Sequence, residues 1–401
     1  MSKLAEPLRS RSFRRLAVGK SVSFLGDWLM VAVLVGWVYR STSSVAQVAL
    51  LMAIRLVPPI VGGGLAASVV DRLPRLRVLI WSEVVCAGAI VGALAGVAVD
   101  SRAVVFGAVA LCSLVATISA TAGNALIPST VDESRLAAAN SIHSVGQEAA
   151  MALGALIGGL TLAAGGPIAG LAANLASYVV AVLLYAGIRD VAAPPAARAR
   201  VRGALRDGFR YVAGNRPVAV VVGCFAIVTF SAGLVNATLP KFTSDLGLGA
   251  GAYGITLAVL ALGMMVGELL TGAFAARIDA RWLGAALAAM GFLGLAFAWS
   301  NGPFAALVLF GAFGVANGVA EVVMMTAIHE QAEAGYQGRV FGLGATLWRS
   351  SMLGAVALAP LVDAIASPSQ AIGVAATLLL AGGVVVHAAL RPARQPAPAP
   401  A

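Results

Sequence analysis

Six charged side chains, Asp27, Arg55, Glu148, Glu268, Glu321 and Arg349, lie inside runs of otherwise apolar sequence. An ionisable group in hydrocarbon is costly enough that such residues seldom persist without a task. The chemistry open to this set is reversible proton binding by the acids, ion pairing between acid and arginine, and capture of a polar ligand. Asp27, near the middle of the first apolar run, leads as a protonation or ligand-binding site. Its expected partner is Arg55, at similar depth on the second run, or Arg349 on the eleventh. A pair that opens in one conformation would tie protonation to movement.

Other polar residues extend the set. Glu148 is central in the fifth run, with His143 and Gln147 four residues apart on a neighbouring face. Glu268 shares a helical face with Met264, Met265 and Thr271, and Glu321 shares one with Asn317 and Met324; Asn236 is a further cavity candidate on the seventh run. Methionines beside a carboxylate suit a bulky cationic ligand, and they also suit ordinary packing.

Several classes of chemistry have no motif here. Gly19-Lys20-Ser21 imitates the end of a phosphate-binding loop, but Arg14 stands where the first glycine is required. His329-Glu330 is followed by Gln331-Ala332-Glu333, which supplies no second zinc-binding histidine, and no Gly-x-Ser-x-Gly elbow occurs. Cys86, Cys112 and Cys224 show no paired spacing and are read as packing residues. No cofactor, no metal and no catalysis are expected, and a membrane-embedded enzyme or receptor is the disfavoured alternative.

The elements that must position these groups are membrane spans. Of the 401 residues 60% are hydrophobic and 11% charged, against about 25% charged in soluble domains, and mean hydropathy is +0.92. Runs of roughly 20 apolar residues, enough to cross about 30 Å of hydrocarbon as helix, recur at 16–39, 45–69, 78–98, 103–123, 140–163, 167–188, 217–239, 251–275, 282–300, 303–327, 341–363 and 369–390. Continuous runs without period-two alternation favour helices over a barrel. The fold class is all-α, with twelve transmembrane helices.

Sorting the 27 Lys and Arg residues by this map places 22 on one side, three (Arg40, Arg102 and Lys241) on the other, and Arg55 and Arg349 within spans. The positive-inside rule makes the rich side cytoplasmic, so both termini face the cytoplasm of a plasma-membrane protein. The net charge of +10 is loop charge facing anionic lipid, and nucleic acid is not an expected partner. The arginine-rich start followed by an apolar run is longer than a signal peptide and reads as an uncleaved first span.

Organisation follows the loops. An N-terminal half at 1–188 and a C-terminal half at 217–390 flank a cytoplasmic linker at 189–216, which contains Pro194 and Pro195, and 391–401 is a Pro/Ala-rich tail expected to be disordered. The halves echo each other: Gly64-Leu-Ala-Ala-Ser-Val-Val-Asp71 closes the second span and Gly272-Ala-Phe-Ala-Ala-Arg-Ile-Asp279 the eighth, while Ser134-Arg135 and Gly338-Arg339 enter the fifth and eleventh. Such repeats are a habit of secondary transporters. Gly88, Gly92 and Gly96 on the third span, and Gly154 with Gly158 on the fifth, read as stripes for close helix packing.

Twelve spans with Asp71-Arg72-Leu-Pro-Arg75-Leu-Arg77 between the second and third resemble the major facilitator superfamily, whose loop signature there is Gly-x-Leu-Ala-Asp-Arg-x-Gly-Arg-Arg; Ala67 and Pro74 stand here where glycines belong. Phe13-Arg-Arg-Leu, Ser23-Phe-Leu-Gly-Asp27-Trp28, Ala125-Leu-Ile-Pro128, Leu136-Ala-Ala-Ala-Asn140-Ser141 and Gly338-Arg339-Val-Phe-Gly342 look like its macrolide-efflux branch of drug:proton antiporters. The antiporter signature of span five is represented by Gly146, Gly154, Gly158 and Gly159 without its proline. The resemblance implies a monomeric, alternating-access exporter of a small amphipathic molecule, such as a drug, a macrolide-like compound or a siderophore-like natural product, with protons as the coupling ion. An uptake permease or lipid translocator of the same fold is the alternative. The superfamily resemblance also implies a cytoplasmic gating loop of Asp71, Arg72, Arg75 and Arg77, with Arg339, the echo of Arg135, grouped with them.

Overall fold

In lipid the backbone must satisfy its own hydrogen bonds, and a helix does so within one segment. The computed structural model describes residues 3–188, 204–249, 251–274, 282–333 and 336–389, and among them there are α-helices, short 3-10 turns and no strand. The helices are α1 (Arg11–Thr42), α2 (Val45–Arg72), α3 (Arg75–Ala98), α4 (Arg102–Leu126), α5 (Leu136–Ala186), α6 (Ala204–Gly214), α7 (Arg216–Asp245), α8 (Ala252–Ala273), α9 (Trp282–Ala298), α10 (Pro303–Gln331), α11 (Gln337–Ile365) and α12 (Pro368–Ala389).

Among the described residues ten helical segments are long and apolar enough to cross a membrane, and α9 is a shorter apolar helix. One of the ten, Ala138–Ala186 in α5, runs for 49 residues. At 1.5 Å per residue that is more than twice the roughly 30 Å of hydrocarbon. It is broken at Gly166, whose φ of 73° leaves the helical region, just before Pro167. Glycine tolerates that conformation and proline begins a helix readily, so the pair divides α5 into two spans. The twelve expected spans are thereby present, and the chain is a multi-pass, all-α membrane protein.

Local chemistry sets the boundaries. Ser10 caps α1 by accepting from the Phe13 amide at 3.2 Å while its hydroxyl donates to Thr130 O at 2.8 Å. Ser43, in the left-handed region at φ 49°, ends α1 by donating its amide to Tyr39 O, and Ser44 caps α2 by accepting from the Gln47 amide. A two-residue hinge therefore joins the first two spans. The linker contains one helix that the apolar pattern did not reveal, α6; its Tyr211 ring stacks on Tyr336 at 4.2 Å and its hydroxyl accepts from the Glu333 amide at 3.0 Å. The rest of the linker from Arg189 to Gly203, the 391–401 tail, and residues 275–281 with Arg277 and the Asp279 echo lie outside the described residues.

Two compact units are distinguished. One comprises Met1–Ala199, Asn236–Ala261 and Val356–Ile365; the other comprises Arg200–Val235, Leu262–Ala355 and Ala366–Ala401. In the first, Phe13, Leu16, Leu79, Ala122 and Tyr185 form a core cluster. Here α1 and α5 run closest: a Cβ at Gly158 would meet Leu29 O at 2.6 Å, and one at Gly154 would meet Leu25 O. The small-residue reading of α5 is thus correct, whereas that of α3 is not. Gly88 and Gly92 have nothing within 4 Å, and only Gly96 touches a neighbour, against Val104 and Val105. In the second unit Val218, Val221, Leu283, Leu287, Met290 and Ala320 are central to the core.

Candidate functional site

Asp27 is the midpoint of α1, and one face of that helix carries Lys20, Ser23 and Asp27 at spacings of three and four. Gly26 permits a tight approach of α5, since a Cβ there would collide with Asn174 and Ser177. That approach delivers Tyr178 to Asp27: the phenol hydroxyl donates to Asp27 Oδ1 at 2.5 Å. Arg55 of α2 lies within electrostatic reach of Asp27, Tyr178 and Tyr253, and its guanidinium sits over the Trp28 ring at 5.1 Å from the centroid. Tyr253 in turn donates to Asn236 Oδ1 at 3.2 Å. Of the two arginines considered for Asp27, Arg55 is thus beside it, but the direct hydrogen-bond donor is a tyrosine.

One turn toward the Arg11 end, a second carboxylate is buried. Glu83 of α3 is 2% exposed; Ser23 Oγ donates to its Oε2 at 2.8 Å and Ser119 Oγ of α4 to its Oε1 at 2.9 Å. Lys20 is buried as well and donates to Asn124 Oδ1 at 2.7 Å. Neither was singled out by sequence reasoning. Glu83 carried the same signal as Asp27, an acid inside an apolar run, whereas Lys20 was grouped with the loop charges because it closes an arginine-rich segment. Ser23 entered only as the first residue of the Ser23–Trp28 motif, and Ser119 and Tyr178 carried no signal.

The remaining candidates are placed as follows. His143 is buried on α5 within electrostatic reach of Lys20, and Gln147 and Glu148 are half-buried on the same helix. Glu268 of α8 and Glu321 of α10 are half-buried and within electrostatic reach of each other. Glycines explain their proximity: a Cβ at Gly267 would strike Val315 O, and one at Gly318 would strike Met264 O. Asn317 is half-buried one turn from Glu321. Arg349 of α11 lies over its neighbour Trp348 at 5.6 Å.

In the loop after α2, Asp71, Arg72 and Arg77 are exposed, while Arg75 Nη1 donates to Ala125 O at 3.0 Å at the end of α4. A cation on the last carbonyls of a helix is favourably placed. Arg339 is exposed, with its guanidinium 5.0 Å from the Tyr336 centroid. Arg135 pairs with Glu6 at 3.1 Å, and Arg15 donates to Gly187 O, so several basic residues at this end hold helix ends together as well as setting topology. Cys86 and Cys112 are buried side by side, each thiol near the other's carbonyl, as expected of packing residues.

This is the chemistry of a polar core rather than of bond-making. It offers two carboxylates, an ammonium and a guanidinium held on span-length helices, which can bind protons or a polar ligand. Among the described residues no group of three His, Cys, Asp or Glu is arranged to hold a metal ion.

Solved structures share the architecture. The chain is similar to the nucleoside transporter NupG at 14% identity and a TM-score of 0.74, covering 95% of this chain and 99% of that one. It is similar to the POT family transporter PepTSo at 10% identity and a TM-score of 0.74, covering 95% and 97%. A bacterial homologue of the iron transporter ferroportin, in an inward-facing state, is similar at 16% identity and a TM-score of 0.73, covering 95% and 99%. No curated protein matches the sequence. The family profile described as Major Facilitator Superfamily matches residues 16–355 and 221–401. With twelve apolar spans, a polar cluster at the middle of the first of them and that match over most of its length, the chain belongs to the Major Facilitator Superfamily of membrane transporters.

Proposed function

We propose that the protein is a proton-coupled exporter of a small amphipathic compound, a drug or a macrolide-like or siderophore-like natural product, working by alternating access in the plasma membrane with both termini in the cytoplasm. The observation that carries this reading is the Asp27, Tyr178 and Arg55 cluster at the middle of α1. An acid with a hydroxyl donor and a guanidinium close by can be stabilised with or without its proton, and a change in either contact changes its proton affinity. A gradient-driven carrier needs that property, because its two conformations must differ in how tightly they hold the coupling ion. Glu268 and Glu321 with the half-buried Met264 and Met265 are assigned to an acidic, adaptable surface suited to a bulky cationic substrate, while Met324 is buried in the core. Asp71, Arg72, Arg75, Arg77 and Arg339 are assigned to cytoplasmic gating.

The solved neighbours include a nucleoside transporter and a POT family peptide transporter, so the fold admits chemically unlike cargoes and the side chains must decide. The test is expression in an efflux-deficient bacterium, with accumulation of a compound panel measured with and without a protonophore. Lower accumulation that rises when the proton gradient collapses supports export. Higher accumulation that falls on collapse identifies an uptake permease instead. Asp27→Asn should abolish active transport while leaving membrane insertion intact, and gradient-driven transport at the wild-type rate in that variant would remove Asp27 from the coupling site.

A further inference from the structure

The Glu83 carboxyl is left unused by the cluster around Asp27, and its setting differs from that of a scaffold acid. A structural carboxylate in a membrane interior is ordinarily locked to a cation, since an ionised acid taken out of water loses several kcal/mol of solvation. Among the described residues, no Lys, Arg or His nitrogen lies within 4.0 Å of Glu83. Its two oxygens instead meet two hydroxyls, Ser23 from α1 and Ser119 from α4.

That choice of partners has a consequence. An ionised carboxylate only accepts hydrogen bonds, and both serines can donate to it; a protonated carboxyl must also donate, and a serine can turn its hydroxyl to accept. The carboxyl therefore keeps a hydrogen-bond partner in both protonation states with no movement beyond a hydroxyl rotation. An arginine or backbone N–H partner, fixed as a donor, would favour the ionised state. The groups facing Glu83 complete the setting. From α1 these are Lys20 and Asp27, from α5 Tyr185, and on α3 itself Cys86, while α4 presents Ser119 without a charge. Lys20 supplies a counter-charge near enough to offset the ionised form but not bound to it, because its ammonium is held by Asn124. Asn124 is exposed two residues before the Leu126 end of α4, so the polar row from Asn124 through Lys20 and Ser23 to Glu83 reaches the surface of the protein at one end.

We propose that Glu83 is a second proton-exchange site, distinct from the Asp27 cluster, held between Ser23 and Ser119 and balanced by Lys20. Proton uptake from water forms one O–H bond on a Glu83 oxygen, removes its negative charge and turns the adjacent serine from donor to acceptor; release breaks that bond, returns the proton to water and restores both donations. The site serves the proton-coupled reading given above, although its chemistry does not depend on that reading.

Infrared difference spectroscopy of the full-length protein in lipid vesicles, recorded between acidic and alkaline pH, reads this directly through the carbonyl stretch of protonated carboxyl groups. The expected result is a titrating carboxyl band that disappears in Glu83→Gln, persists in Asp27→Asn, and moves in frequency in Ser119→Ala, which removes one hydrogen-bond partner. If Glu83→Gln leaves every titrating carboxyl band in place, the proposal is overturned. Should that variant fail to fold, Glu83→Asp keeps the acid one methylene shorter: a band displaced in frequency or midpoint supports the site, and an unchanged spectrum overturns it. No transport substrate is needed, so a protein that fails the protonophore test yet shows this band separates the two conclusions.

Discussion

Tyr178 donates its hydroxyl to Asp27 Oδ1 at 2.5 Å, joining the second span of α5 to the midpoint of α1. A hydrogen bond to a charged group contributes about 1.5–3 kcal/mol, and phenylalanine in place of tyrosine keeps the ring packing while deleting that bond. Tyr178→Phe is expected to lower the stability of the purified protein by no more than that one bond, and to lose roughly 10-fold or more of its gradient-driven transport rate, since each 1.4 kcal/mol is about a factor of ten. Equal losses in both measurements would instead make Tyr178 a scaffold residue.

The sequence disclosed the fold far better than the site. Twelve spans were legible because expulsion of charge from lipid acts on every residue of every span, and even the division of α5 is written as Gly166-Pro167. Asp27 and Arg55 were legible as violations of the same rule. Their partners were not, because Tyr178 is 151 residues from Asp27 along the chain and becomes its donor through the close approach of α1 and α5 at Gly26. Lys20 misled for a physical reason: it closes an arginine-rich segment in sequence, but helical periodicity turns it onto the inner face of α1 with Ser23 and Asp27. Gly88 and Gly92 misled in the opposite sense, since a glycine stripe marks where a helix is able to pack and says nothing of whether a partner comes.

Lys241 and Asp363 pair at 2.6 Å with side chains 30% and 23% exposed. An ion pair that still meets solvent contributes about 0.2–1 kcal/mol after screening. Lys241→Ala and Asp363→Ala should each lower the melting temperature slightly, and the double variant should fall by less than the sum. A double-mutant cycle on purified protein checks this at low and high salt, with coupling expected to weaken as salt rises. Strict additivity would leave the pair without energetic weight.

Glycines on α7 and α8 separate packing from mere smallness. A Cβ at Gly254 would collide with Ala155 O and would stand 2.7 Å from Gly159 N and 2.8 Å from Gly159 Cα, all backbone atoms that cannot swing aside. Gly254→Ala should therefore destabilise by about 1–3 kcal/mol, the usual cost of overpacking. Gly223 on α7 has nothing within 4 Å. There the same change adds helix propensity, about 0.5–1 kcal/mol, and should leave stability unchanged or raised. Thermal melts of the two variants in one detergent decide it, and similar losses in both would contradict the close approach.

Orientation has a direct check that draws on the buried cysteines. Cys86 and Cys112 are each 2% exposed, as is Cys224, so a polar maleimide should leave the native protein unlabelled until it is denatured. Leu73, 55% exposed between α2 and α3, lies among Arg72, Arg75 and Arg77; Val99, 72% exposed after α3, precedes Arg102, which has no other Lys or Arg close by in that loop. The positive-inside rule puts the first loop in the cytoplasm and the second outside. A membrane-impermeant maleimide should accordingly label Val99→Cys in intact cells and Leu73→Cys only in inverted vesicles. The reverse pattern would place both termini outside, and with them the Asn124 end of the Glu83 row. Proton entry to Glu83 would then come from the external medium, which reverses the side from which the second site exchanges.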